Sequence, residues 1–150
     1  MSGFKHGLIA GFVATVVLSA IMVMKASMGI MPNLDPIHML AQMMHSRLGL
    51  PATPILGWIM HFAIGTILWG GLFSLLAPLI PAKSFVAKGL IFASGAWLLM
   101  MLIPMPMSGA GFFAIKIGPM APVMTLVLHW IWGAVLGLTF QKLAKTSNQG

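Results

Sequence analysis

Two histidines lie inside long apolar stretches of this chain, and the same short pattern follows each. His61-Phe62 precedes Gly65, and His129-Trp130 precedes Gly133. An imidazole in an apolar run is costly to bury without a partner, which makes it a functional candidate. It is also the commonest metal ligand. Glycine four residues on leaves a bare patch one turn along the same helix face. A flat molecule can approach the backbone there. A haem held between His61 and His129, over Gly65 and Gly133, would use that surface, with Lys25, Arg47 or Lys116 reaching its propionates. A quinone-like or lipid ligand would use it too. The structural alternative is at least as good and carries the greater weight. Glycines one turn apart let helices pack closely in lipid, and each histidine then donates to a carbonyl or hydroxyl nearby, such as Thr15, Thr66 or Ser94.

Methionine is the second donor set. The chain has 15, and Met22-Val23-Met24 and Met105-Pro106-Met107 end two of the apolar runs. Thioethers together with the His61 and His129 imidazoles suit Cu(I). Methionine also fills irregular gaps in a core without any metal. His38 and His45 are about 10 Å apart along a helix and cannot share an ion without a third element. With no cysteine, disulfides, thiolate zinc sites, iron–sulfur clusters and thiol nucleophiles are excluded. No carboxylate lies in an apolar run, which weighs against ion-coupled transport. No phosphate-cradling loop, nucleophile elbow or zinc-protease pair occurs, so no enzymatic activity is expected.

The elements that must position these residues are long. Residues 4–24, 55–80, 86–103 and 119–140 contain no acidic residue, and each is close to the ~20 residues needed to cross a bilayer as a helix. The chain is 59% hydrophobic and 6% charged, with a mean hydropathy of +1.02. Soluble domains carry roughly 25% charged residues, so lipid has to be the outer solvent. The net charge of +7 is spread singly along the chain, without the basic run that nucleic acid would require. An integral membrane four-helix bundle follows, all-α. Between its first two crossings lies a short helix over 36–48, with Asp35 as N-cap, Pro36 at the first turn and Gly49 past the end. Its apolar face of Ile37, Leu40, Ala41, Met44 and Leu48 suits the membrane interface. Pro104 and Pro106 stop or kink the third helix.

The runs also repeat. Lys5-x-Gly7-Leu8-Ile9 returns as Lys88-Gly89-Leu90-Ile91, and the histidine pattern returns as noted. The expected organisation is a single membrane domain over 1–150, made of repeat one (4–80), repeat two (86–143) and a polar tail (144–150). Two tandem hairpins in the same orientation imply a pseudo-two-fold axis along the membrane normal. Lys5, Lys83, Lys88, Lys142 and Lys145 fall on one side, against Lys25, Arg47 and Lys116 on the other, which places both termini in the cytoplasm. Gly7, Gly11, Gly65, Gly133 and Gly137 are the expected helix contacts.

Four stretches carry a resemblance: Gly7 to Thr15, Leu34-Asp35-Pro36, Gly57 to Phe62, and Ala121 to His129. Through them the whole chain resembles a family of small bacterial inner-membrane proteins with four helices and no assigned function. The resemblance implies fold and multi-pass placement in the bacterial inner membrane, and no chemistry. The expected role is therefore an accessory or scaffold protein, as a homo-oligomer or as a subunit of a larger membrane complex. The alternatives are a haem-, copper- or quinone-binding module at His61 and His129, and a small-molecule channel or exporter formed by an oligomer.

Overall fold

A computed structural model describes residues 2–147. It is 78% helical, with no strand among the described residues. The order is α1 (Ser2–Ser27), α2 (Pro36–Leu48), α3 (Pro54–Ala63), a π-helical stretch (Ile64–Gly70), α4 (Gly71–Leu76), α5 (Phe85–Leu102), α6 (Pro104–Met107), a 3-10 turn (Phe112–Ala114) and α7 (Ala121–Ser147). Among the described residues, four segments are long and apolar enough to cross a membrane: Gly3–Ser27, Pro54–Leu76, Phe85–Met107 and Ala121–Ser147. The second runs unbroken from α3 through the π stretch into α4.

The ends of these elements have local causes. Asp35 Oδ1 accepts from the His38 backbone N–H at 3.1 Å, and Gly49 turns left-handed at φ 69 after the last turn of α2. That is the capping expected of Asp35 and Gly49. Thr53 and Ser84 cap α3 and α5 in the same way, accepting from the N–H groups of Leu56 and Ala87. At Ile103 the backbone leaves helical geometry (φ −117, ψ −71), and Pro104 restarts the chain as α6. The prolines therefore kink the third span without ending it. Residues 144–147 of the expected polar tail continue α7, and Ser147 Oγ lies 2.9 Å from His6 Nε2 on α1. Residues 148–150 of the expected tail lie outside the described residues.

Glycines set the two closest seams. A Cβ added at Gly11 on α1 would lie 2.7 Å from the Gly65 carbonyl oxygen and 2.8 Å from Gly70 Cα. Gly7 meets the Gly70 carbonyl and Ser74. Between α5 and α7, a Cβ at Gly133 would lie 2.5 Å from both Ala93 Cβ and the Gly89 carbonyl oxygen, while Gly137 abuts Phe85. Every one of these positions requires hydrogen in place of a side chain. Lipid offers no hydrophobic drive between helices, so close backbone approach supplies the dispersion contact. α1 also packs along α7, and Ala10, Ala14, Trp132 and Leu136 are buried in the same cluster. The second and third spans meet differently, through rings: Trp69 and Phe73 lie 5.9 and 5.4 Å from Phe92, centroid to centroid. A second core cluster sits toward the other end, where Leu34, Met101, Met105, Ala110, Ala114 and Ala121 are buried together.

Candidate functional site

His61 stands on the last turn of α3 and reaches α1. Its Nε2 lies 3.2 Å from Ser19 Oγ. The Ser19 hydroxyl donates its own proton to the Thr15 carbonyl at 2.6 Å. Ser19 Oγ therefore accepts from a protonated Nε2, and in a neutral ring Nδ1 is the bare nitrogen. Trp58, three residues earlier on the same helix face, packs edge-on against the imidazole at 5.8 Å. The sequence expectation of an interhelical hydroxyl partner holds in kind, with Ser19 in place of Thr15 or Thr66.

His129 is satisfied within its own helix. Its Nδ1–H donates to the Thr125 carbonyl at 2.8 Å, one turn back on α7. A carbonyl only accepts, so in a neutral ring Nε2 is the bare atom here. The Thr125 hydroxyl serves a different seam, accepting from Trp97 Nε1 of α5 at 3.0 Å. Ser94 pairs with the indole of Trp130 at 2.9 Å, next to the histidine and not with it. The heights of the two imidazoles can be compared through Trp132, whose Nε1 donates to Thr15 Oγ1 at 3.2 Å and links α7 to α1. Ser19 lies about 6 Å along α1 from Thr15, and His129 about 4.5 Å along α7 from Trp132, at 1.5 Å per residue. The two spans run in opposite directions, so both displacements point the same way. The histidines sit at similar depth, with different partners and opposite bare nitrogens.

The glycines beside them are occupied. A Cβ at Gly65 would run into the Thr15 side chain, and Gly133 is closed by Ala93 and Gly89. Gly57, one turn before His61, is the seat of α2, against which the Ile37 carbonyl and side chain press. The patches that a flat ligand would use are helix contacts. The methionine pairs divide in the same way at both ends. Met22 and Met105 are buried, whereas Met24 and Met107 are exposed at 56% and 40%. Met105 packs into the second core cluster with Met101, bordered by Met31, Met39, Met100 and Met124. His38 and His45 are exposed on α2, as their face predicts. No group of three His, Asp or Glu side chains among the described residues is placed to hold a metal ion.

Ser19, the partner of His61, carried no sequence signal. Thr15, Thr66 and Lys25 were candidates in the sequence but serve other ends: Thr15 joins the first span to two others, pressing on Gly65 and accepting from Trp132. Thr66 Oγ1 is buried without a partner in the π stretch, whose geometry is silent in the sequence pattern. Lys25 is a third case. It is 8% exposed, and its Nζ donates to the carbonyls of Ile30, Met31 and Leu34 at 2.9, 3.2 and 3.0 Å. All three ammonium protons are used, so Lys25 closes the α1–α2 loop and reaches no propionate. Arg47 and Lys116 remain exposed.

No curated protein and no solved structure matches this chain. A family model does match, over residues 1–149, and its description is a family of unknown function (DUF6789).

Proposed function

The chain belongs to this family of unknown function, and we propose that it is a small multi-pass membrane protein without catalysis of its own, acting as an accessory or scaffold subunit of a membrane complex. The observation that carries this reading is where its apolar surface lies. Only 22% of the second span's most apolar window and 39% of the fourth's are buried within the chain. Ile55, Ile67, Leu75 and Leu79 on the second span and its end are each more than 60% exposed. Inside, the bundle is filled by glycine contacts and by Phe73, Trp132 and Leu136. What the protein offers other molecules is therefore outer helix face. Photo-crosslinkers at Ile67 and Leu98 test the reading in native membranes. Discrete adducts, with a second copy or a different chain, are the expected result. Lipid adducts alone at both positions would contradict a scaffold role.

Two finer readings belong to the same proposal. The hairpins are tandem copies, supported by the pairing of their small residues. Gly11 against Gly65 corresponds to Ala93 against Gly133, and Gly7 against Gly70 corresponds to Gly89 against Gly133 and Gly137. Gly65 and Gly70 are five apart, Gly133 and Gly137 four. A π turn is one residue wider than an α turn, so the Ile64–Gly70 stretch absorbs the difference. Both termini face the cytoplasm of a bacterial cell, supported by the exposed Lys5, Lys83, Lys142 and Lys145 at one end against Arg47 and Lys116 at the other. Lys25 leaves that count, being committed to its loop.

The bare nitrogens of His61 and His129 favour a second reading, ligand binding at the outer half of the bundle. Such a ligand would have to use the ring nitrogens without the Gly65 and Gly133 patches, which are closed by helix contacts, and haem and copper are its two testable forms. A Soret band or stoichiometric copper in the purified protein would support it, and colourless, metal-free protein after growth with both supplied would remove it.

A further inference from the structure

The seam between the second and third spans is ajar. The first and second meet glycine to glycine, and so do the third and fourth, whereas the second and third are propped apart by Trp69, Phe73 and Phe92. A groove of about 380 Å³ runs along this seam. Its walls are apolar, with Leu76 and Ile80 on one side and Ile91 and Leu99 on the other. Gly95 lines it as well, and a Cβ there would find no atom within 4 Å. From Ile91 to Leu99 the α5 wall is about 12 Å long. The groove ends at Pro81, two residues before Lys83.

Lys83 is exposed and meets no acidic side chain among the described residues, because Asp35 is the chain's one acidic residue and it caps α2. Its neighbour Lys88 is different, with its Nζ donating to the Ala77 carbonyl at 2.6 Å beside the Phe85 ring. An open apolar trough thus leads to an uncompensated cation at the membrane edge. An acyl chain is a much narrower occupant than an α-helix, which is about 10 Å across with its side chains. A hydrocarbon chain fits the trough.

We propose that the groove between the second and third spans holds an acyl chain of an anionic phospholipid whose phosphate is met by Lys83. The proposal rests on the reading that the chain spans a bilayer. Charge complementarity selects the headgroup, and the apolar walls hold the tail without selecting it.

Native mass spectrometry of the full chain, purified in mild detergent from equimolar phosphatidylglycerol and phosphatidylcholine, tests it. The wild type is expected to keep one phospholipid, mainly phosphatidylglycerol. Gly95→Leu fills the groove and should abolish retention. Lys83→Gln should keep the lipid but cut the anionic preference about fivefold, the contribution of one lysine at an anionic surface. Should Gly95→Leu not fold, Leu99→Trp narrows the groove from its open side and is expected to act the same way. Lipid-free wild type, retention unaffected by either groove variant, or unchanged preference in Lys83→Gln would each overturn the proposal. So would a dimer that Gly95→Leu dissociates, since a second copy would then be the occupant. An alkaline wash of the membranes separates the two readings. Wild type that stays in the pellet yet keeps no lipid sinks the lipid site alone, and release into the wash sinks the spanning reading as well.

Discussion

Single residues in this chain do most of their work through carbonyls. Lys25 is the clearest case, an ammonium group buried in the turn after α1 with three carbonyl acceptors and no anion. The carbonyls at the end of a helix carry partial negative charge, so a cation is favoured there. Hydrogen bonds to a charged donor contribute more than neutral ones, and buried acceptors left open cost further. Lys25→Met keeps the length and loses the donors. It should lower stability by about 3 kcal/mol, read as reduced thermal stability in detergent, with faster proteolysis within residues 28–34. A variant as stable and as protease-resistant as wild type would show the three bonds to be incidental. None of this was legible beforehand, because a lysine near a helix end reads as a membrane flank. The histidines were half legible. Their burial and need for partners follow from the apolar runs, but Ser19 is chosen by helix rotation, which the pattern does not encode, and Thr125 by the rotamer of His129 on its own helix.

At the scale of elements, small residues decide. Gly133 and Gly95 are both helical glycines, and the sequence alone ranks only the first. Gly133→Leu drives a side chain into Ala93 and the α5 backbone, where overpacking typically costs 1–3 kcal/mol and here strikes rigid atoms. It should prevent extraction of folded, monodisperse protein. Gly95→Ala points into open space, and alanine favours a helix over glycine by about 1 kcal/mol, so thermal stability should hold or rise. Equal behaviour of the two variants would show that the seams do not govern folding. The π stretch permits a sharper test of the tandem reading. Deleting Ile67, which is 65% exposed, restores four-residue spacing between Gly65 and the following glycine of the seam. This variant should fold, whereas deletion of Val135 from the regular α7 should not. The reverse outcome would make the extra residue essential rather than absorbed. Helix positions, the α2 caps and the proline kink were readable because they rest on local chemistry: Asp35 with Pro36, Gly49, and Pro104 with Pro106. The π turn was not, since a one-residue insertion is invisible in a run where every residue is apolar.

The whole molecule inverts the usual arrangement of a folded chain, with much of its apolar surface outside. Composition alone conveyed this, because 6% charged residues cannot clothe a water-facing domain. What the molecule does was far less legible, since an apolar outer face records the solvent it meets and not the partner it recognises. The placement of the spans is the claim on which the scaffold reading, the lipid groove and the histidine site all depend. It can be measured without background, as the chain contains no cysteine. Single cysteines at Lys5, Lys83, Lys145, Arg47 and Lys116 can be labelled in sealed vesicles by an impermeant maleimide. Positions 5, 83 and 145 should react from one side, positions 47 and 116 only from the other, and a cysteine at Leu75 from neither. Labelling of positions 47 and 83 from the same side of the membrane would contradict the four-span bundle.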